Sequence, residues 1–161
     1  MVGGRTLVQI YCGEGHGKTS AALGNAVRKA SEGKSVIFIQ FLKGKAIEFE
    51  YLKRLEPEIK IFRFEKNGGL FEELTPEQQK EEIINMKNGL NFARKVLSTR
   101  ESDIVVLDEI LGLADMKAID IQDILNVIDA RADDVELILT GRVLNPEIAK
   151  VADVICVLNE R

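Results

Sequence analysis

Eight residues near the amino end, Gly13-Glu14-Gly15-His16-Gly17-Lys18-Thr19-Ser20, constrain this chain more than any other stretch. An apolar strand-like run, Leu7 to Cys12, leads into them, and a helix-like run, Ala21 to Ala30, follows. Strand, glycine-rich turn, Lys-Thr and helix in that order form the context of a phosphate-binding loop. Glycines let the backbone turn tightly and aim successive N–H groups at one centre. The helix start adds unpaired N–H groups and the positive end of its dipole. Lys18 supplies charge to phosphate oxygens, and the Thr19 hydroxyl can ligate a metal ion held by them. The stretch predicts a nucleoside triphosphate site in which Gly13, Glu14, Gly15, His16, Gly17, Lys18, Thr19 and Ser20 line the phosphates.

The loop departs from the usual spacing. Counting back from Gly17, the position of the customary first glycine is Cys12, and the first glycine present is Gly13. The loop is one residue shorter, or its first turn is built differently. His16 reads either as a spacer beside phosphate or as a catalytic base.

The chain has 161 residues, 45% hydrophobic and 30% charged, which fits one soluble domain, residues 1–161, with a core of its own. A formal net charge of −4 argues against duplex nucleic acid as the partner. Two cysteines, Cys12 and Cys156, sit in apolar strand-like runs and read as buried free thiols. The start lacks an apolar signal core and no run is long enough to span a bilayer, so a cytoplasmic protein is expected, with no membrane partner.

Strand-like and helix-like runs alternate to the carboxyl end. Val36 to Phe41 reads as a second strand, Ile47 to Leu55 as a short charged helix, and Ile59 to Phe64 as an edge or half-exposed strand. Asn67-Gly68-Gly69 opens an irregular loop through Glu73. Thr75-Pro76-Glu77-Gln78 signals a capped helix start. Ile83, Met86, Leu90, Ala93 and Leu97 then share one face, while Lys80, Glu81 and Glu82 read as surface charge. Strands at Ile104 to Leu107, Val135 to Leu139 and Val154 to Leu158 alternate with helices opened by Asp120 and by Asn145-Pro146. Continuous β-branched runs between helices predict an α/β fold, a mostly parallel sheet of about six strands with helices on both faces. Ligands of such sheets bind at the carboxyl ends of the strands.

Three further groups fall at those ends. Asp108 and Glu109 follow the strand ending at Leu107 and either meet a metal ion on the phosphates or are solvated acids. Arg142, after Thr140-Gly141, either contacts phosphate or forms a surface ion pair. Gln40 and Lys43 either hydrogen-bond and attract an anionic ligand or belong to a basic turn.

Taken together these stretches resemble the P-loop ATP:corrinoid adenosyltransferases. The likeness is carried, in the family's order, by Gly13 to Thr19 with Ala21-Ala22-Leu23-Gly24, by Gln40-Phe41-Leu42-Lys43-Gly44, by Leu107-Asp108-Glu109, by Leu139-Thr140-Gly141-Arg142, and by Ala152-Asp153. The shortened phosphate loop is itself a family trait. The resemblance implies a three-layer P-loop NTPase-like (RecA-like) fold and transfer of the 5′-deoxyadenosyl group of ATP to Co(I) of a corrinoid, with triphosphate released. It implies ATP and a reduced corrinoid as substrates, Mg²⁺ or Mn²⁺ as the metal, an electron-donor protein and a homodimer. By position, Lys18, Thr19 and Glu109 are the catalytic set. Thr19, Asp108 and Glu109 are the metal set, and Gln40, Lys43 and Arg142 join the loop in binding nucleotide.

The chain also departs from the family. Its first strand begins within a few residues of Met1, and it ends at Arg161 where the family carries a tail. Trp is absent, Phe71 is the aromatic of the Asn67–Glu73 stretch, and Val157 stands where the family has an acid. The residues themselves also fit a phosphoryl-transfer enzyme (an ATPase or small kinase) or a non-catalytic ATP- or corrinoid-binding module. The bond cleaved in ATP separates these.

Overall fold

The computed structural model describes residues 6–42 and 47–160. Six strands form one parallel sheet: β1 (Val8–Cys12), β2 (Val36–Gln40), β3 (Ile59–Arg63), β4 (Ile104–Asp108), β5 (Glu136–Thr140) and β6 (Val154–Val157), in the order β3-β2-β4-β5-β1-β6. The helices are α1 (Lys18–Ser31), α2 (Pro76–Ser98), α3 (Ile121–Asp129) and α4 (Pro146–Ala149).

Period-two alternation divides the sheet between two cores. Val36 and Phe38, Ile104 and Val106, and Ile138 face α1, which meets them with Ala22 and Ala26. Those small side chains let the helix backbone approach the sheet closely. Ile37, Ile39, Val105, Leu107, Leu137 and Leu139 face the other way. There they pack against Met86, Leu90 and Ala93 of α2 and Ile124 and Val127 of α3. A parallel strand covered on both faces needs apolar residues at every position, which is why β2 and β4 read as unbroken apolar runs. Each fully buried Ile, Leu or Phe contributes about 1.5–3 kcal/mol.

Local signals set the helix boundaries. Thr75 accepts from the Gln78 N–H while the Gln78 side chain accepts from the Thr75 N–H, and Pro76 follows. Asp120 and Asn145 cap α3 and α4 through side-chain acceptors. The stretch Ile47–Leu55 is a 3₁₀ helix, and the expected irregular loop contains one 3₁₀ turn, Phe71–Glu73. Strand β3 lies at a sheet edge, as its alternation indicates.

Two expectations are corrected. Glu82 is not surface charge: it is buried on α2 and accepts hydrogen bonds from the Lys66 and Asn67 N–H groups and the Asn67 and Asn85 side-chain amides. Cys156 is exposed rather than buried, because β6 is an edge strand. Cys12 is buried, and burial first, then the nearby Cys156, push its thiol above the usual range while Lys18 pulls it back. One thiol of the native chain should therefore react promptly with an aromatic disulfide reagent at neutral pH, and the second only after denaturant is added. Prompt reaction of both would contradict this packing.

Candidate functional site

The chain leaves β1 at Cys12 and must reach β2, which lies beyond β5 and β4 in the sheet. Helix α1 makes that crossing, packed on β4 and β5, so its first turn lies over the carboxyl ends of those strands. The phosphate loop joins β1 to that turn. Gly17, at φ 97°, is the left-handed residue that ends the loop and caps the helix. The first intrahelical bond runs from the Ala21 N–H to the Gly17 carbonyl. The N–H groups of Gly17, Lys18, Thr19 and Ser20 therefore come before the helical ladder, at the positive end of the helix dipole.

The front of the loop has a different task. The Gly13 N–H donates to the Arg142 carbonyl at 2.9 Å, and the Gly15 N–H donates to the Leu158 carbonyl at 2.7 Å. A Cβ on Gly13 would stand 2.4 Å from that Leu158 oxygen, and one on Gly15 2.7 Å from it. These glycines are required because the chain after β6 closes against the loop. Lys18 turns inward, its Nζ donating to the Gly15 carbonyl at 2.7 Å. Exposed Arg142 lies with its Nε 3.7 Å from a Glu14 carboxylate oxygen, and exposed His16 pairs through Nδ1 with Glu160.

Thr19 and Asp108 are brought together. The Thr19 hydroxyl donates to Asp108 Oδ1 at 2.9 Å, and the Thr140 hydroxyl donates to the same oxygen at 2.7 Å. Asp108 is fully buried, so these hydroxyls take the place of water as partners for its carboxyl oxygens. The neighbouring Glu109 takes a positive φ of 64°, and its N–H donates to the Thr140 hydroxyl at 2.8 Å. The carboxylate that meets the phosphate-loop Thr is thus that of Asp108.

Gln40 ends β2 in register with Asp108 of β4. It is fully buried, its Nε2 lies 3.5 Å from Asp108 Oδ2, and its Oε1 accepts from Arg63 Nε at 2.6 Å. Lys43 lies outside the described residues. Thr140 and Arg63 are additions to the site. Thr140 ends β5 just before Gly141-Arg142, and Arg63 ends the edge strand β3. Neither had a local signal tying it to Asp108.

Beside the loop, a cavity of about 370 Å³ opens at the same edge of the sheet. Leu70, Phe71, Met86 and Met116 give it an apolar side, and Arg142 stands between it and the loop. Its described polar lining comprises the exposed carboxylates Glu72 and Asp115 with Arg142 and Asn67, and the buried Glu65 and Glu82, which already accept hydrogen bonds within the chain. Among the described residues no three His, Cys, Asp or Glu side chains converge as a metal site, and no helix is long and apolar enough to cross a membrane.

An all-parallel sheet with a phosphate loop after β1, whose Thr meets a buried Asp at the end of β4, defines a three-layer P-loop NTPase-like (RecA-like) fold. The chain is similar to the crystal structure of a KaiC-like protein from Pyrococcus horikoshii OT3, with a TM-score of 0.64 and 20% identity, covering 97% of this chain and 73% of that one. That likeness is one of fold. Within the class, the model of the ATP:corrinoid adenosyltransferase BtuR/CobO/CobP family matches residues 4–161, and the chain belongs to that family. It is 26% identical to the corrinoid adenosyltransferase of Escherichia coli (strain K12) and 28% identical to corrinoid adenosyltransferase CobA of Salmonella typhimurium, over 94% of this chain and 75% of each relative. It is 27% identical to the corrinoid adenosyltransferase of Pseudomonas aeruginosa, over 94% of this chain and 73% of that relative.

Replacing Lys18 by Ala is expected to weaken ATP binding at least about tenfold, the loss of one charge-assisted hydrogen-bond partner. Titration calorimetry measures it, and an unchanged Kd would show that the loop does not hold the polyanion.

Proposed function

We propose that this chain transfers the 5′-deoxyadenosyl group of ATP to the cobalt of a reduced corrinoid, with triphosphate as the leaving group. The observation that carries the reading is the juxtaposition, at one sheet edge, of the Thr19–Asp108 phosphate-loop site and the cavity lined by Phe71 and Met116. Membership of the family supports the choice of acceptor. In the step, the Co(I) electron pair forms the cobalt–carbon bond to C5′. The C5′–O bond breaks, and its electron pair leaves on triphosphate.

Little covalent chemistry falls to the protein. Its residues orient the 5′ carbon and stabilise charge on the departing phosphates. The N–H groups of Gly17 to Ser20 hold phosphate oxygens, and Lys18 exchanges its Gly15 carbonyl for one of them. Arg142, paired with Glu14 only at the surface, is free to turn to the same anion. The Thr19 hydroxyl and the Asp108 carboxylate, with Glu109 adjacent, are hard oxygen donors that suit Mg²⁺ or Mn²⁺, and they would hold the ion against the phosphates. When bound, it would neutralise charge developing on triphosphate. The corrinoid, much larger than the cavity, would rest across its mouth, where Phe71 and Met116 offer apolar contact. The reading carries with it one domain and a cytoplasmic setting, supported by the chain's length and composition, and an electron-donor protein and a homodimer, supported by the family resemblance.

Incubation of the protein with ATP, Mg²⁺ and a chemically reduced corrinoid is expected to give a light-sensitive cobalt–carbon product and inorganic triphosphate. Unmodified corrinoid with accumulating ADP and phosphate would overturn the reading in favour of phosphoryl transfer. Saturable ATP binding without turnover would leave only a binding module.

The exposed carboxylates of the lining add a preference. Carboxylates accept hydrogen bonds from primary amides and repel other carboxylates. A fully amidated corrinoid is therefore expected to show a kcat/KM about tenfold above that of a carboxylate-bearing precursor at low salt. The gap should narrow as ionic strength rises. Equal or reversed preference would discard this use of the cavity charge.

A further inference from the structure

On the α1 face of the sheet, β3, β2 and β4 are apolar in the first two rows, Ile59, Val36 and Ile104, then Ile61, Phe38 and Val106, while Glu136 of β5 and Gln9 of β1 pair with each other beside them. The last row changes character. Arg63 of β3 pairs in register with Gln40 of β2, and Gln40 with Asp108 of β4. One step beyond the Leu107–Leu139 pair, Asp108 meets Thr140 of β5, which is in register with Tyr11 of β1. A polar row thus crosses five strands at the edge where the phosphate loop sits.

The hydrogen bonds in this row have a fixed direction. A guanidinium only donates, so the 2.6 Å contact from Arg63 Nε requires the Gln40 carbonyl oxygen to face Arg63. The Gln40 NH₂ must then face Asp108. At 3.5 Å it is long for a hydrogen bond and acts as much as an oriented dipole. With the amide reversed, its oxygen would stand against the buried carboxylate. The Asp108 carboxylate favours the same orientation from its own side, since both hydroxyl donors sit on Oδ1 and leave Oδ2 to the amide; Arg63 holds the far end of that amide in place.

We propose that Arg63 is a positioning residue for the metal–nucleotide site. By orienting the Gln40 amide it steadies the Asp108 carboxylate against Thr19, and so sets the affinity for metal-bound ATP from the far edge of the sheet. This rests on the reading that Thr19 and Asp108 hold a nucleotide-bound metal. It differs from a role in fold stability alone, which would not depend on the metal. It differs also from direct phosphate binding by Arg63, which would not depend on Gln40.

Calorimetric titration with ATP, with Mg²⁺ and with chelator, tests it on the wild type and on Arg63→Met, Arg63→Lys, Gln40→Met, the Arg63→Met/Gln40→Met double variant and Asp108→Asn. A thermal melt confirms that each variant folds. Arg63→Met is expected to weaken binding of Mg²⁺–ATP about fivefold and leave metal-free binding unchanged. Arg63→Lys, which keeps a donor, should recover most of the loss. The double variant should be no weaker than Gln40→Met, since the two residues act in series. Wild-type affinity in Arg63→Met, equal losses with and without metal, or additive losses in the double variant would each overturn the proposal. The control separates the two levels. If Asp108→Asn keeps its full response to Mg²⁺, the metal site itself is misassigned. If Asp108→Asn loses that response while Arg63→Met does not, only the role of Arg63 fails.

Discussion

The Asp108 carboxylate, fully buried at the carboxyl end of β4, is the constraint on which the arrangement turns. A buried charge stripped of one partner costs several kcal/mol, so its donors must arrive together. They come from three elements: Thr19 from α1, Thr140 from β5 and Gln40 from β2. Strand β4 therefore has to lie between β2 and β5, and α1 has to start above it. A slip of one residue would turn Asp108 into the apolar core against α2. Thr140 also accepts the Glu109 N–H, which holds the chain as it takes a positive φ directly after the strand. One carboxylate thus ties sheet register, helix crossing and phosphate loop to a single solution.

What was legible in the sequence followed rules of short range. Strand identity, the Thr75 capping box and the Asp120 and Asn145 caps depend on residues within a turn of one another, and the structure reproduces them. The ordered set of motifs was enough to indicate the family and the fold. What escaped depended on strand order. Gln40 ends an apolar run, and only the adjacency of β2 to β3 and β4 decides that its amide is spent on Arg63 and Asp108. Cys156 lies in a β-branched run that looks like a central strand, yet β6 is at an edge. Glu82 is the instructive case, because a signal existed. It lies four residues before Met86 and on the same face as Gly89 and Ala93, all buried. Its charge outweighed its phase, although four donors were available to satisfy it.

The short phosphate loop makes sense once its two halves are separated. Gly13 and Gly15 spend their N–H groups on Arg142 and Leu158 and admit the chain after β6 to within a distance no Cβ tolerates. Fewer residues then remain to form a cradle, and the anion-facing N–H groups are concentrated at the helix start, Gly17 to Ser20. The loop's spacing is a consequence of what packs behind it.

The contacts around that cradle differ in how readily they yield. The Gly13 and Gly15 bonds are backbone to backbone and join three parts of the chain, so an arriving polyanion leaves them in place. The Lys18 bond to the Gly15 carbonyl links a charged donor to a neutral acceptor, and a phosphate oxygen is the stronger partner. The Arg142–Glu14 contact, at 3.7 Å between exposed groups, is of the kind that contributes about 0–1 kcal/mol. On the proposed reading both cations would turn to triphosphate at small cost, above the Thr19–Asp108 contact. A rigid floor with exchangeable cations above it suits a leaving group whose charge rises during the reaction. On that reading the floor would keep the 5′ carbon in register while the cations follow the charge.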